Sequence, residues 1–254
     1  MPVGMISELW RYPVSAVGGE LLDAISVAEA GVEGDREWAV VDAEGNPAWP
    51  DREKRWRAAL LLRSRSRASE FEISLADSSW MDGTSPATWT SLSDHFGFPV
   101  SVRRQLPHGT MPSADGVPER YDRAPIHLVS SASIADLQRT LPESGIDSRR
   151  FRPNIVLRVP ETAGAHVERR WIGKTLLIGD AELRVTSPCT RCVFTVLPQG
   201  DLPFDKRVLG AIAREGGGFG VYCSVVVPGR IGIEDMVTVR DAGPSAQHLV
   251  ASSL

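Results

Sequence analysis

Beyond residue 125 the apolar residues of this chain come in short runs rich in valine, isoleucine and leucine, separated by glycine and proline. Ile126–Val129, Asn154–Val159, Thr175–Ile178, Ala181–Thr186, Val221–Val227 and Met236–Arg240 all read as strands. Short strands at this spacing, with few helices between them, fold into barrels or sandwiches rather than alternating β-α units. One helix is expected here, Ile134–Leu141, with Ser130, Ser131 and Ser133 offering caps and Asp136 adding negative charge near its start.

The first hundred residues follow the same logic. Met5–Trp10, Glu37–Asp42, Ala59–Leu62, Phe71–Leu75 and Pro99–Arg103 read as strands, the fourth with period-two alternation, and Leu92–Phe96 as a short helix. The pattern stops between Leu106 and Pro125, where four prolines (Pro107, Pro112, Pro118, Pro125) fall. The expected organisation is an N-terminal β-barrel-like domain over 1–105, a linker or long loop over 106–124, a second β-barrel domain over 125–242 and a tail over 243–254. The fold class is mainly β, with few short helices.

Composition narrows the function. At 254 residues, 42% hydrophobic and 24% charged, the chain has an ordinary globular make-up. A net charge of −4 argues against a nucleic-acid binder that works by neutralising phosphates. No stretch approaches the ~20 apolar residues of a membrane span, and Met1–Met5 lacks the basic and apolar regions of a secretory signal; a cytoplasmic location is expected. Only Lys54, Lys174 and Lys206 are lysines among 28 basic residues, a bias that a high-GC genome also produces.

The chemical signals are three. In Ser187-Pro188-Cys189-Thr190-Arg191-Cys192 two thiols flank an arginine that would favour thiolate at either neighbour. Zinc would want four ligands, and the chain has this pair plus Cys223, with His127 or His166 to complete a set. A thioredoxin-like dithiol opens a helix, whereas Val193–Leu197 reads as extended chain. A soft-metal thiolate site, or two cysteines packed as small hydrophobes, are the other readings. The second signal is Arg149-Arg150-Phe151-Arg152-Pro153-Asn154 before an apolar strand: three guanidiniums gathered at one strand end suit a phosphate, and the asparagine amide suits a heterocycle edge. Gly34-Asp35-Arg36-Glu37-Trp38 is the third, a turn projecting an arginine. Trp49, Trp56 and Asp51-Arg52-Glu53 read as loop packing, with the lining of an entrance the alternative; Cys223 is expected in the core.

Taken in order, these segments resemble the MOSC family, which includes the C-terminal domain of molybdenum cofactor sulfurase and the mitochondrial amidoxime reducing component. Tyr12-Pro13-Val14, Gly34–Asp42 and Gly45 are similar to the family's N-terminal domain. Pro125–Leu137, Arg149–Leu157, Trp171–Gly173, Ile178–Ala181, Pro188–Cys192, Phe219–Tyr222, Pro228–Ile231 and Asp235–Val237 follow its MOSC domain. The resemblance implies a molybdenum cofactor, molybdenum on molybdopterin, with Cys192 as the protein's ligand to the metal and catalytic thiolate. It assigns Arg36, Arg150, Arg152, Asn154 and Thr190 to the neighbourhood of the cofactor. Ser130, Ser131 and Ser133 fall at a helix start, a natural phosphate site.

The implied reaction is two-electron reduction of an N-hydroxylated small molecule by oxygen-atom transfer, with electrons from a separate flavin or iron–sulfur protein, since no ferredoxin-like set of cysteines is present. A non-catalytic cofactor or sulfur carrier is the alternative. Pyridoxal phosphate is not expected: it serves a separate domain in the eukaryotic sulfurase. Two departures stand out. Many relatives follow Tyr-Pro-Val with a lysine and a serine, where this chain has Ser15 and Ala16, and Phe194–Pro198 lacks one threonine and the aspartate of the amidoxime-reducing kind.

Overall fold

The computed structural model describes residues 1–68, 70–75, 79–113, 116–119 and 124–241; the expected tail, 243–254, lies outside them. Seven strands close a barrel: β1 (Pro2–Arg11), β2 (Ile126–Ser130), β3 (Ile155–Arg158), β4 (Thr175–Ile178), β5 (Ala181–Thr190), β6 (Gly218–Val227) and β7 (Met236–Arg240). Around the barrel the order is β3-β2-β6-β5-β4-β7-β1, and β1 pairs back onto β3. Every pairing is antiparallel except β2 on β3, where Leu128 faces Ile155. Closure satisfies the backbone groups that an open edge would leave unpaired.

The stave that completes the barrel is the first strand of the chain. β1 sets Leu9 opposite Ile155 on one side and Met5 opposite Met236 on the other. Ala24–Ala28 likewise pairs with Gly229–Gly232, Ile25 facing Ile231. Ile6, Leu9, Ile25, Val27 and Val32 accordingly share one apolar core with Leu128, Leu157, Leu183 and Val221. The proline-rich stretch therefore divides the sequence without dividing the sheets. Local patterning identifies a strand but not its partner, and the entropic cost of closing a long loop grows only slowly with its length. Within the expected linker, Val117–Pro118 joins a sheet alongside Gln105 and Leu106, and Val117 is buried.

The rest of the N-terminal half builds a second core. Val14–Ser15, Trp38–Asp42, Val100–Leu106 and Val117–Pro118 form one sheet; Leu62–Arg67, Glu70–Leu75 and Met81–Asp82 form another. They pack with α1 (Pro86–Phe96) around Val40, Leu62, Phe71, Ile73, Leu92 and Trp56, whose ring meets Phe96 and Phe98 edge-on at 5.4 and 5.0 Å. Trp56 is fully buried, so it belongs to this core and not to an entrance. Helix α1 starts earlier than Leu92, with proline at its opening, and Gly97 ends it in the left-handed conformation. Ala59–Leu61, expected as strand, closes a 3₁₀ helix over Lys54–Leu61 instead, and the strand begins at Leu62. Trp56, Ala59 and Leu60 bury one helical face, a period that a four-residue apolar run does not reveal.

A third core lies at one end of the barrel beneath α2 (Ser131–Thr140) and α3 (Lys206–Arg214). It joins Val129, Leu137, Phe151, Val196, Val208, Ala211, Ile212 and Phe219. Helix α3 was not expected from the sequence. Its marks are Val208, Ala211 and Ile212 on one face and Asp205, whose carboxylate accepts from the Arg207 N–H at 3.0 Å as an N-cap. No helix among the described residues is long and apolar enough to cross a membrane.

Candidate active site

A cavity of about 300 Å³ lies where the two halves meet. Ser15, Ala16, Arg36, Trp49 and Asp51 line it from the N-terminal half; His127, Phe151, Arg152, Thr190, Arg191, Cys192, Phe194 and Tyr222 line it from the barrel. Gln105 and Glu119 complete the wall and, with Arg36, also border an adjoining cavity of about 570 Å³. The long sequence separation has a simple cause. Strand β5 runs on to Thr190, further than the apolar pattern to Thr186 suggested, and delivers the cysteine pair to the barrel rim.

The turn carrying Arg36 is locked from beneath. Asp35 is buried and its carboxylate accepts from the Tyr12 N–H at 2.8 Å and from Arg36 Nε at 2.5 Å, while the Arg36 N–H donates to the Tyr12 carbonyl at 2.7 Å. Arg36 takes the left-handed backbone conformation, φ 56°, which turns its side chain toward the cavity wall. Arg152 also has positive φ, 51°; its guanidinium lies 4.1 Å from the Tyr12 ring centroid and Nη1 donates to the Val17 carbonyl at 2.6 Å. That carbonyl follows Ser15 and Ala16, so Arg152 brings positive charge to their loop.

The two thiols differ sharply. Cys192 is exposed at the cavity, at the start of a short 3₁₀ helix over Val193–Val196, which replaces the extended chain expected there. The cavity walls still strip water from the thiol, and this desolvation, with the negative charge of Asp51, pushes it above its ordinary value against the pull of Arg191. Cys189 is fully buried. Burial opposes its ionisation, yet the charges of His127 and Arg191, with hydrogen bonds from His127 and Tyr222, bring that thiol down to about 6. Nη1 of Arg191 donates to Cys189 Sγ at 2.8 Å and Nη2 to the Phe151 carbonyl at 2.8 Å, while Nε is buried with no hydrogen-bond partner. The arginine between the cysteines thus favours thiolate chiefly at the hidden one.

His127 stands in the middle of an apolar strand, and its ring nitrogens face the carbonyls of Arg152 at 3.3 Å and Phe219 at 3.2 Å. Gly220, at φ 77°, makes room for it: a Cβ there would come within 2.6 Å of His127 Nε2. A polar residue inside the run Ile126–Val129 was the one mark in the sequence of its role.

Family models for the MOSC domain and the MOSC N-terminal beta barrel domain match residues 108–238 and 3–77. The chain belongs to the MOSC family. It is similar to mitochondrial amidoxime reducing component 2 of Bos taurus, 27% identical over 81% of this chain and 70% of that one. Mitochondrial amidoxime-reducing component 1 of Homo sapiens is 27% identical over 77% and 66%. The molybdenum cofactor sulfurase of Drosophila erecta is 22% identical over 96% of this chain, which takes in only 33% of the sulfurase.

Of the residues that the resemblance assigned to the cofactor, the structure brings Arg36, Arg152, Thr190 and Cys192 to the MOSC cavity and leaves the others outside it. Ser130 and Ser133 are buried, and each spends its single hydroxyl proton on the buried carboxylate of Glu168, at 2.5 and 2.6 Å. Ser130 Oγ also accepts from the Ser133 N–H, capping α2 one residue before Ser131, and Ser133 Oγ accepts from the His166 N–H. Ser131 Oγ accepts from the Val159 N–H.

The three arginines do not gather at one strand end. Arg149 faces outward to Asp147 and Asp201, both within 2.8 Å, and Arg150 is fully buried, donating to the carbonyls of Gly145, Thr195 and Pro203. Only Arg152 reaches the cavity. Asn154 is buried between strands, accepting from the His127 N–H and donating to the Trp10 carbonyl.

Cys223 lies fully buried in the barrel core, its thiol pushed up to about 12 by burial. Among the described residues no group of three or more His, Cys, Asp or Glu side chains is placed to hold a metal ion, so Cys189, Cys192 and Cys223 form no zinc ligand set with His127 or His166.

Proposed function

We propose that this chain binds a molybdenum cofactor, with Cys192 Sγ as its protein ligand to the metal, and reduces N-hydroxylated small molecules. One observation carries the reading: a solvent-accessible thiol opens onto a cavity whose wall holds three guanidiniums, one of them with a buried Nε that lacks a partner. A pterin dithiolene with a phosphate is a soft, multiply anionic ligand. It fits a thiolate for the metal and arginines for its charge. A single protein thiolate suffices because such a cofactor brings its own sulfurs, which fits a cavity without a complete protein ligand set.

When bound, the cofactor would supply two-electron oxygen-atom-transfer chemistry. The chain does the rest. Cys192 would hold the metal as a thiolate, and a cation there would offset the desolvation that raises its thiol. Arg36 and Arg152 are oriented by Asp35 and Tyr12, so little side-chain freedom is lost when they meet an anion. Arg191 ties the loop between the cysteines to Phe151 and holds negative charge on Cys189. Trp49, Phe151 and Phe194 give the cavity apolar surface that limits water around the reacting atoms.

In the net reaction an N–O bond breaks: a hydroxylamine, two electrons and two protons yield an amine and water. Electrons would come from a separate flavin or iron–sulfur protein, as three cysteines, two of them buried, make no four-cysteine cluster set.

The test is metal and pterin analysis of protein made in a molybdate-supplied host that synthesises the cofactor, wild type beside Cys192→Ser, followed by turnover with a chemical reductant. Near-stoichiometric molybdenum, a changed metal spectrum in the variant and reduction of an N-hydroxylated substrate are expected. Protein free of molybdenum and pterin would refute the proposal. Protein that hands over the cofactor yet reduces nothing would be a carrier.

A further inference from the structure

Asp51 is an unusual wall residue for a cavity that receives an anionic cofactor. It sits on a turn closed by the N–H groups of Arg52 and Glu53, which both donate to the Trp49 carbonyl, at 3.0 and 2.8 Å. Its position is therefore set by backbone hydrogen bonds. It lines the same cavity as Cys192. The guanidiniums of that cavity have partners of their own: Arg36 holds Asp35, Arg152 holds the Val17 carbonyl and the Tyr12 ring, and Arg191 holds Cys189 and the Phe151 carbonyl. Asp51 makes no hydrogen bond or salt bridge among the described residues. Trp49, with the Arg52 guanidinium 5.7 Å from its ring centroid, and Phe194 line the same cavity.

A carboxylate with no partner, half-buried in the cavity that Cys192 opens onto, repels anionic substrates and rewards cations. The aromatic rings that line the same cavity suit a flat, largely apolar body. We infer that Asp51 selects the substrate: it pairs with the cationic nitrogen of a protonated N-hydroxyguanidine, and with the amidinium that reduction of a neutral amidoxime produces. This rests on the reductase reading above. The balance supports the placement. A neutral amidoxime takes two electrons and three protons, its N–O bond breaks, and an amidinium and water leave; positive charge thus appears on the substrate during turnover, close to a fixed negative one.

The test uses benzamidine as the amidinium probe and benzamide as its neutral counterpart, titrated calorimetrically into the full chain as purified. Wild type is expected to bind benzamidine more tightly than benzamide. Asp51→Asn should weaken benzamidine about tenfold, or about 1.4 kcal/mol, and leave benzamide unchanged, while Asp51→Glu restores most of the preference. Near-ultraviolet circular dichroism checks that the variants keep their packing. In turnover with a chemical reductant, Asp51→Asn should lower kcat/KM for a cationic aryl N-hydroxyguanidine about tenfold relative to a neutral hydroxamic acid. Equal binding of benzamidine by wild type and Asp51→Asn, equal loss of both probes, or no benzamidine binding by wild type would each overturn the inference. Asp51-dependent benzamidine binding by protein that holds no molybdenum and reduces nothing would uphold the cation site and refute the reductase reading alone.

Discussion

Replacing Ser130 with alanine separates two roles for one residue. Its place at a helix start suits an anion such as a phosphate; in the structure its hydroxyl is committed twice over. It donates to Glu168 at 2.5 Å and accepts from the Ser133 N–H at 3.2 Å, all within a buried network. Losing a serine N-cap costs about 1 kcal/mol, and losing a hydrogen bond to a buried charged acceptor about 1.5–3 kcal/mol. Both losses fall on one oxygen, so roughly 2–4 kcal/mol is expected for Ser130→Ala. For a chain of this size that corresponds to a fall in Tm of roughly 5–15 °C. The assay is thermal unfolding followed by circular dichroism, paired with molybdenum content per folded protein. The reasoning requires a lower Tm with molybdenum content unchanged. An unaltered Tm together with lost molybdenum would refute it and return Ser130 to the phosphate.

Further outcomes follow from the same geometry. Cys189 should show thiolate ultraviolet absorbance rising through a pH of about 6, lost in Cys189→Ser and displaced upward in Arg191→Ala. Because its folded value lies below the ordinary 9.0, the unfolded chain binds more protons between these pH values; the contribution of Cys189 to stability is therefore full above 9.0, declines as pH falls and is gone below about 6. Denaturant midpoints for wild type and Cys189→Ser across that range check the sign. In the native protein a bulky disulfide reagent should titrate Cys192 alone, since Cys189 and Cys223 are buried, and Cys192→Ser should leave no fast-reacting thiol. Arg150→Ala should destabilise by about 3–5 kcal/mol, seen as a lowered urea midpoint, because it strips donors from the carbonyls of Gly145 and Pro203 in a buried site.

Much of the architecture was legible along the chain because strand periodicity is local. Thr175–Ile178 and Met236–Arg240 appear with the bounds their apolar patterns suggest. Helices were harder. The 3₁₀ turn at Lys54–Leu61 and helix α3 bury faces whose spacing extends beyond any short apolar run, and in the first case Trp56 is drawn into helical register by Phe96 and Phe98, more than thirty residues on. At the site, the two cysteines and the arginine between them are adjacent in sequence and could be read together as thiolate chemistry. Which thiol is activated could not, because the answer depends on His127 and Tyr222, brought from β2 and β6.

The sequence by itself determined that this chain is built of short strands and that Cys189 and Cys192 lie three positions apart at a strand end with an arginine between them. Tertiary structure decided the rest. It made the first strand a stave of the barrel, through pairings with segments about 150 and 230 residues away. It sent Arg149 to solvent, Arg150 to the interior and Arg152 to the cavity, although all three lie within four consecutive positions. The physical reason is that a side chain's role follows from what it can satisfy: an arginine's donors go to whichever carbonyls, carboxylates or rings the fold leaves within reach, and those partners lie on other elements.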